Sequence, residues 1–305
     1  VSPGADTLLA GVREKDPRAI GRAISIVEDG GPLAASILAA LEHPCCEAAL
    51  VIGVTGPGGA GKSTLTQALI AHYRTEGRRI GVVAVDPSST LSGGALLGDR
   101  IRMMRHALDE DVVIRSMATR GRAGGICAAA GAAVRVMAYS GCEIVLLETV
   151  GVGQAELAVV HLADLTALVL APGLGDDVQA MKAGLIELVD AIVVNKGDQP
   201  AAQALLAEMQ AVAAATHRAV FCTSASDGTG VAQLAAGLGE LADTLRQSDR
   251  IALRRQAARS IEVMDWALEL LRPELKAAVA ALGPLSGEPQ ALARLAIARL
   301  KATEE

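Results

Sequence analysis

The sequence predicts an α/β fold: a doubly wound, mostly parallel sheet within residues 49–246, preceded by one helical extension and followed by another. Three observations predict it. Short runs rich in Val, Ile and Leu recur between residues 50 and 223, most of them separated by helix-length segments, as strands buried on both faces of a parallel sheet require. A glycine-rich turn, GPGGAGKST, follows the first run directly. Both ends of the chain carry helical periodicity and no strand run.

In chain order, residues 1–48 form a separate helical region. Leu8, Leu9 and Val12 make a short apolar stripe. Asp16-Pro17 then supplies an N-cap followed by proline at the first helical position, opening a helix with Ile20, Ile24 and Val27 on one face, and Gly30-Gly31-Pro32 ends it. A third helix carries Ile37, Leu38 and Leu41 and stops before His43-Pro44. The strand runs are LVIGVTG (50–56), IGVVAVD (80–86), VVIRSM (112–117), EIVLLE (143–148), LTALVLA (165–171), AIVVN (191–195) and AVFCT (219–223). The sheet signal ends near Arg246, and residues 247–305 form a C-terminal helical region. There Ile261, Met264, Leu268 and Leu271 stand at helical spacing, and a second helix follows Glu288-Pro289 with Leu292, Leu295 and Ala296. Such an appendage on an α/β domain reads as a docking or oligomer surface.

Composition narrows the function classes. With 51% hydrophobic but only 1% aromatic residues, the core must be built from Ala, Val, Leu and Ile. A formal net charge of -6, with arginines spread along the chain, argues against a nucleic-acid surface, which needs clustered Lys and Arg. The opening residues show no basic stretch followed by an apolar run, and no segment approaches the ~20 apolar residues of a membrane span, so a cytoplasmic protein with no membrane partner is expected. The five cysteines are odd in number and show no C-x-x-C spacing, which predicts buried, reduced thiols rather than disulfides or a zinc site.

The stretch GPGGAGKST satisfies two phosphate-binding patterns. Gly56, Gly58 and Gly61 fit G-x-G-x-x-G, the dinucleotide fingerprint, and Gly56, Gly61, Lys62 and Ser63 fit G-x-x-x-x-G-K-[ST], the P-loop. The P-loop reading makes Gly56, Pro57, Gly58, Gly59, Ala60, Gly61, Lys62, Ser63 and Thr64 a phosphate cradle of backbone N–H groups at a helix N-terminus. Lys62 reaches the β and γ phosphates and Ser63 holds Mg²⁺. Asp86, at the end of the second run, stands where a ribose-binding acid of the dinucleotide fold is expected. Gly-Lys-Ser has no role in that fingerprint, so the P-loop reading is preferred.

The other strand ends carry matching chemistry, because ligands of such sheets bind beyond the carboxyl ends of the strands. Asn195-Lys196-Gly197-Asp198 follows a buried run, and a carboxylate at Asp198 can accept two parallel hydrogen bonds from guanine, a match adenine lacks. Thr223-Ser224-Ala225, at and after the end of the last run, suits a backbone contact to the same base. Glu148 ends the fourth run, where a carboxylate orders magnesium-bound water, and Gly151 lets backbone approach a γ-phosphate. Asp86 and Asp99 bracket the loop DPSSTLSGGALLGD and are further candidates for the metal's surroundings; a loop of that length reads as a switch.

The motifs GPGGAGKST, DPSSTLSGGALLGDRIRM, TRGRAGG, ETVGVGQAE, PGLGDDVQAMKAG and NKGD, in this order, resemble the MeaB/MMAA (ArgK) family of P-loop GTPases. The resemblance implies a GTP-dependent chaperone of an adenosylcobalamin-dependent acyl-CoA mutase, usually methylmalonyl-CoA mutase, with GTP/GDP and Mg²⁺ bound. It implies roles in hydrolysis for Lys62, Glu148, Asp99 and Lys182, metal-site roles for Ser63, Asp86, Asp99 and Glu148, and guanine reading by Asn195, Lys196 and Asp198. Gly151, Gln154, Asp176, Gln179 and Lys182 fall in its switch segments, and the C-terminal helices are implied to form a homodimer. Two alternatives stay open: a metal-delivery GTPase, although His43, His72, His106, His161 and His217 are scattered without ligand spacing, and an ATP-dependent kinase of a solute-transport system, against which Asp198 argues.

Overall fold

The computed structural model describes residues 3–86, 106, 108–118, 125–149, 155–174, 184–283 and 285–302. Seven strands form one sheet: β1 Leu50–Thr55, β2 Ile80–Asp86, β3 Val112–Ala118, β4 Ile144–Thr149, β5 Leu165–Leu170, β6 Ala191–Val194 and β7 Ala219–Cys222. Every pairing is parallel, and the order is β3-β2-β4-β1-β5-β6-β7. Each predicted run is found, shifted by no more than a residue or so. β1, β4, β5 and β6 are buried along their whole length, which is why their sequences lack the polar alternation of a half-solvated strand.

Helices cover both faces. On one lie α5 (Lys62–Thr75) and, later in the chain, α9 (Val231–Gln247), whose Leu65, Leu69, Leu234 and Leu238 share a core with Ile52, Val54, Val82 and Leu146. The opposite face receives α1 (Pro3–Arg13), α2 (Pro17–Asp29), α3 (Pro32–Ala40), α6 (Gly125–Tyr139) and α7 (Ala155–Leu162). Their Val12, Ile20, Ile24, Ile37, Val136 and Val159 pack in one cluster with Val51, Val83, Val145 and Leu147. The N-terminal helices, expected as a separate region, therefore share a core with the sheet. A third cluster joins β5 and β6 to Met209 of α8 (Ala202–Thr216).

Local chemistry sets the helix ends. Asp16 caps α2 by accepting from Arg18 N–H at 3.0 Å, Pro17 occupies the first turn, and Gly30 ends the helix at φ 81°. The residues after α3 depart from expectation: Pro44 opens a further short helix, α4 (Pro44–Ala48), because proline is preset for a first turn and His43 Nδ1 accepts the Cys45 N–H at 3.3 Å.

The C-terminal helices are α10 (Arg250–Ala280) and α11 (Pro289–Lys301). The expected apolar stripe of α10 does not face the body. Met264, Leu268 and Leu271 are 61%, 49% and 39% exposed, whereas Ile251, Ala258, Glu262 and Asp265 are buried. Glu262 is carried inward by its ion pair with Arg135 of α6, whose Nη1 donates to both carboxylate oxygens at 2.8 and 3.0 Å. Burial raises the Glu262 carboxyl above its usual range, and Arg135 opposes that shift. No single helix among the described residues is long and apolar enough to cross a membrane.

Candidate functional site

The carboxyl ends of β1, β4, β6 and β7 meet at one rim, and the glycine-rich turn lies at its centre. Gly56 leaves β1 at φ 139°, where an added Cβ would stand 2.1 Å from the Val169 carbonyl oxygen of β5. Gly61 caps α5 in the left-handed region at φ 89°, and a Cβ there would meet Asn195 Nδ2 at 2.5 Å. Both positions thus demand glycine for conformation and for space. The loop between them offers its backbone at the N-terminus of a 14-residue helix, the arrangement that binds phosphate.

Lys62 is buried, and its Nζ donates to the carbonyls of Gly56 at 2.7 Å and Pro57 at 3.0 Å. The ammonium is held over the loop by the loop's own backbone. Ser63 Oγ donates to Glu148 Oε1, so the first turn of α5 and the end of β4 converge. Glu148 is fully buried. At the ends of β1 and β4, Thr55 Oγ1 and Thr149 Oγ1 are buried on the other sheet face and find no hydrogen-bond partner among the described residues. The Ser63 hydroxyl and the Glu148 carboxylate make an oxygen donor set of the kind magnesium takes.

On the other side of the turn, both ends of the Asn195 amide are engaged. Its Nδ2 donates to the Ala60 carbonyl at 3.0 Å, and its Oδ1 accepts from Thr223 Oγ1 and from Ala225 N–H, each at 3.1 Å. Asn195 therefore ties the phosphate loop to the loop after β7. The segment carrying Lys196 is pinned in turn, since Gly197 N–H donates to the Thr223 carbonyl at 2.8 Å. Asp198 is exposed, yet its Oδ1 accepts from the buried Ser224 hydroxyl at 3.0 Å, which orients the carboxylate while leaving it open to a base.

Strand order decides between the two phosphate patterns. In a dinucleotide fold the acid that binds ribose ends the strand beside the first. Here β4 lies between β2 and β1, so Asp86 ends two strand spacings from the loop, about 10 Å away. The one feature that favoured the dinucleotide reading is thereby removed.

A family model described as methylmalonyl Co-A mutase-associated GTPase MeaB matches residues 20–280. The chain belongs to the MeaB family. A GTPase-named protein of Pyrococcus abyssi is 48% identical over 204 residues, covering 67% of this chain and 63% of its own length. The matched span is thus less than two thirds of that relative. The mouse methylmalonic aciduria type A homolog is 35% identical over 220 residues, 69% of this chain and 53% of that protein, and the GTPase ArgK of Escherichia coli is 38% identical over 191 residues, 61% and 57%. The crystal structure of an LAO/AO transport system kinase aligns over 100% of this chain and 99% of its own with a TM-score of 0.70 at 23% identity, a likeness of fold.

Of the residues expected to serve the site in this MeaB-family chain, the P-loop from Gly56 to Thr64, Glu148, Asn195, Lys196, Asp198, Ser224 and Ala225 gather at the rim. Asp99, Gly151, Gln154, Asp176, Gln179 and Lys182, and the side chain of Asp86, lie outside the described residues. Sequence reasoning read Thr223 as a backbone contact to the base and missed its hydroxyl as a partner of Asn195, since no local pattern pairs the two. It also missed the opposite rim. There Asp164 and Asp190 sit directly before β5 and β6 and receive Arg255 and Arg254 of α10; the repeated Asp ahead of a strand run was a usable signal.

Proposed function

We propose that this chain is a GTPase that gates adenosylcobalamin delivery to, and protects or reactivates, a cobalamin-dependent acyl-CoA mutase, methylmalonyl-CoA mutase or a relative. The observation that carries the nucleotide part is the Asn195 amide, which braces the phosphate loop against the loop after β7 and sets Asp198 beside Ser224. That geometry favours a guanine base, whose N1–H and exocyclic amine would pair with the Asp198 carboxylate. The mutase part rests on the family's description and on the mouse relative's name.

In the hydrolysis step Lys62 exchanges the Gly56 and Pro57 carbonyls for β and γ phosphate oxygens and stabilises the charge that develops there. Backbone N–H groups of residues 58 to 64 hold the phosphates in line, so the rate comes from positioning and electrostatics. Ser63 and Glu148, with Asp86 and Asp99, would hold magnesium, which would supply charge neutralisation to the phosphates. Asp99, Lys182 and the switch residues Gly151, Gln154, Asp176 and Gln179 are proposed to complete the site when the mutase docks. The exposed stripe of Met264, Leu268 and Leu271 supports a homodimer through the C-terminal helices.

The deciding experiment measures GTP and ATP turnover with and without an adenosylcobalamin-dependent acyl-CoA mutase. GTP-only hydrolysis that the mutase accelerates is expected. ATP preference would overturn the role of Asp198 and restore the transport-kinase reading, and GTP hydrolysis indifferent to the mutase would remove the partner.

A further inference from the structure

The short helix α4 assembles side chains that the nucleotide site does not use. Cys45 Sγ lies 3.1 Å from His43 Nδ1 and 4.0 Å from Cys46 Sγ. The same Nδ1 accepts the Cys45 N–H, so the imidazole has its proton on Nε2, and its single Nδ1 lone pair is shared between that N–H and the thiol. The ring is held in place edge-on to Tyr139, with centroids 6.1 Å apart, and Arg13 stacks on the other ring at 4.8 Å from its centroid.

The two thiols differ. Cys45 is exposed, against the expectation of buried cysteines. Cys46 is partly buried and donates to the Arg135 carbonyl at 3.6 Å; burial, with Cys45 beside it, pushes its thiol up to about 12. Only Cys45 has both solvent access and a base. A disulfide between the neighbours is disfavoured, because a trans peptide fixes their Cα atoms about 3.8 Å apart, below the usual range for a disulfide. Among the described residues no group of His, Cys, Asp and Glu could hold a metal ion.

Cys45 also lines a cavity of about 720 Å³ at the amino ends of the strands, between α4, α5 and α9 and away from the nucleotide rim. That volume falls in the range of small-molecule sites. Its lining includes apolar Ala49, Leu50 and Ala235 and charges of both signs, among them Arg78, Glu143 and Arg246. Arg78 pairs with Glu143 at 3.0 Å and Arg246 with Asp243 at 3.1 Å in half-exposed ion pairs, which contribute little and can exchange partners.

We propose that Cys45 is a thiol-exchange site that takes up a small zwitterionic peptide thiol of the glutathione type as a mixed disulfide, with the adduct seated in this cavity. His43 Nδ1 accepts the thiol proton, and the Cys45 sulfur attacks one sulfur of the disulfide RSSR. The S–S bond breaks, the new bond is Cys45–S–SR, and the leaving RS⁻ takes the proton from His43 as RSH. Cys45 and one RS half end oxidised in the mixed disulfide, and the other half is reduced.

The full chain is incubated with glutathione disulfide and followed by intact mass and peptide mapping. One adduct per chain, on Cys45 and released by dithiothreitol, is expected, and Cys45→Ser should lose it. His43→Asn keeps a capping oxygen for the Cys45 N–H but cannot take a proton at neutral pH; it should slow the reaction at least about tenfold while leaving the melting temperature unchanged. Arg78→Ala with Arg246→Ala should slow glutathione disulfide but not the uncharged bis(2-hydroxyethyl) disulfide. Equal reaction at other cysteines, or an unchanged rate in His43→Asn, would overturn the proposal by making Cys45 an ordinary surface thiol. An equal response to both disulfides in the arginine variant would overturn the seating in the cavity.

Discussion

The two rims of the sheet are built on opposite principles. At the amino rim, two buried carboxylates are saturated. Asp164 accepts from Arg255 Nε at 2.7 Å, Arg255 Nη2 at 2.6 Å and Val51 N–H at 2.9 Å. Asp190 repeats the pattern with Arg254 Nη1 and Nη2, each at 2.8 Å, and Thr166 N–H at 2.9 Å. Arg255 further donates to the carbonyls of Glu47 and Ala49. At the carboxyl rim, by contrast, the Lys62 ammonium donates to two carbonyls of its own loop, Asp198 stays exposed, and Thr55 and Thr149 bury hydroxyls without partners among the described residues. The two Asp–Arg pairs fix α10 to the sheet, whereas the unmet polar atoms at the carboxyl rim are what a ligand can complete.

The strongest way to break that contrast is Lys62→Ala. GTP hydrolysis should fall about 10³-fold, as when one charge-stabilising group is removed, while thermal unfolding stays nearly unchanged; wild-type turnover in a phosphate-release assay would refute the assignment. The converse follows at the other rim. Asp164→Ala leaves Arg255 without its buried partner and should cost about 3 kcal/mol in denaturant unfolding, with GTP affinity intact in the folded fraction. A loss of affinity instead would show that the rims are not independent.

Asp198→Ala sharpens the comparison within the carboxyl rim. The preference for GTP over ATP should fall at least about a hundredfold, measured by competition binding, and an unchanged ratio would move guanine recognition elsewhere. Asn195→Ala should be milder, costing about 1–3 kcal/mol because the Thr223 hydroxyl and Ala225 N–H lose their acceptor, and it should weaken GTP and ATP binding together, as a brace would. The smallest stability effect is expected for Leu268→Glu on the exposed face of α10, within about 0.5 kcal/mol for the monomer. Its readout is mass by light scattering: a halved mass supports the dimer, and an unchanged mass counts against that face.

Much of the site was legible before the fold because it is written in contiguous stretches. The P-loop and NKGD each need only a strand before them and a specific backbone path, and the buried runs announced those strands. The functional meaning of Asn195 was less legible. Its residue type suggested base reading, whereas its amide is taken up between Ala60 and the 223–225 loop, partners about 135 and 30 residues away that no local pattern encodes. The stripe of α10 was legible as a stripe but not as a direction, because periodicity shows that a face is apolar without showing what covers it.

By itself the sequence determined the seven strands, the helices around them, the cradle between Gly56 and Thr64 and the carboxylate at Asp198. These follow from side-chain period, turn chemistry and glycine's conformational freedom, all of which act over a few residues. Only the tertiary structure decided that β4 separates β2 from β1, that Asp164 and Asp190 are matched by Arg255 and Arg254, that Cys45 lines a cavity between α4, α5 and α9, and that α10 turns Glu262 inward and Met264 outward. Each of these depends on which distant groups can satisfy one another's hydrogen bonds and charges once water is excluded, and that balance exists only when the chain has closed on itself.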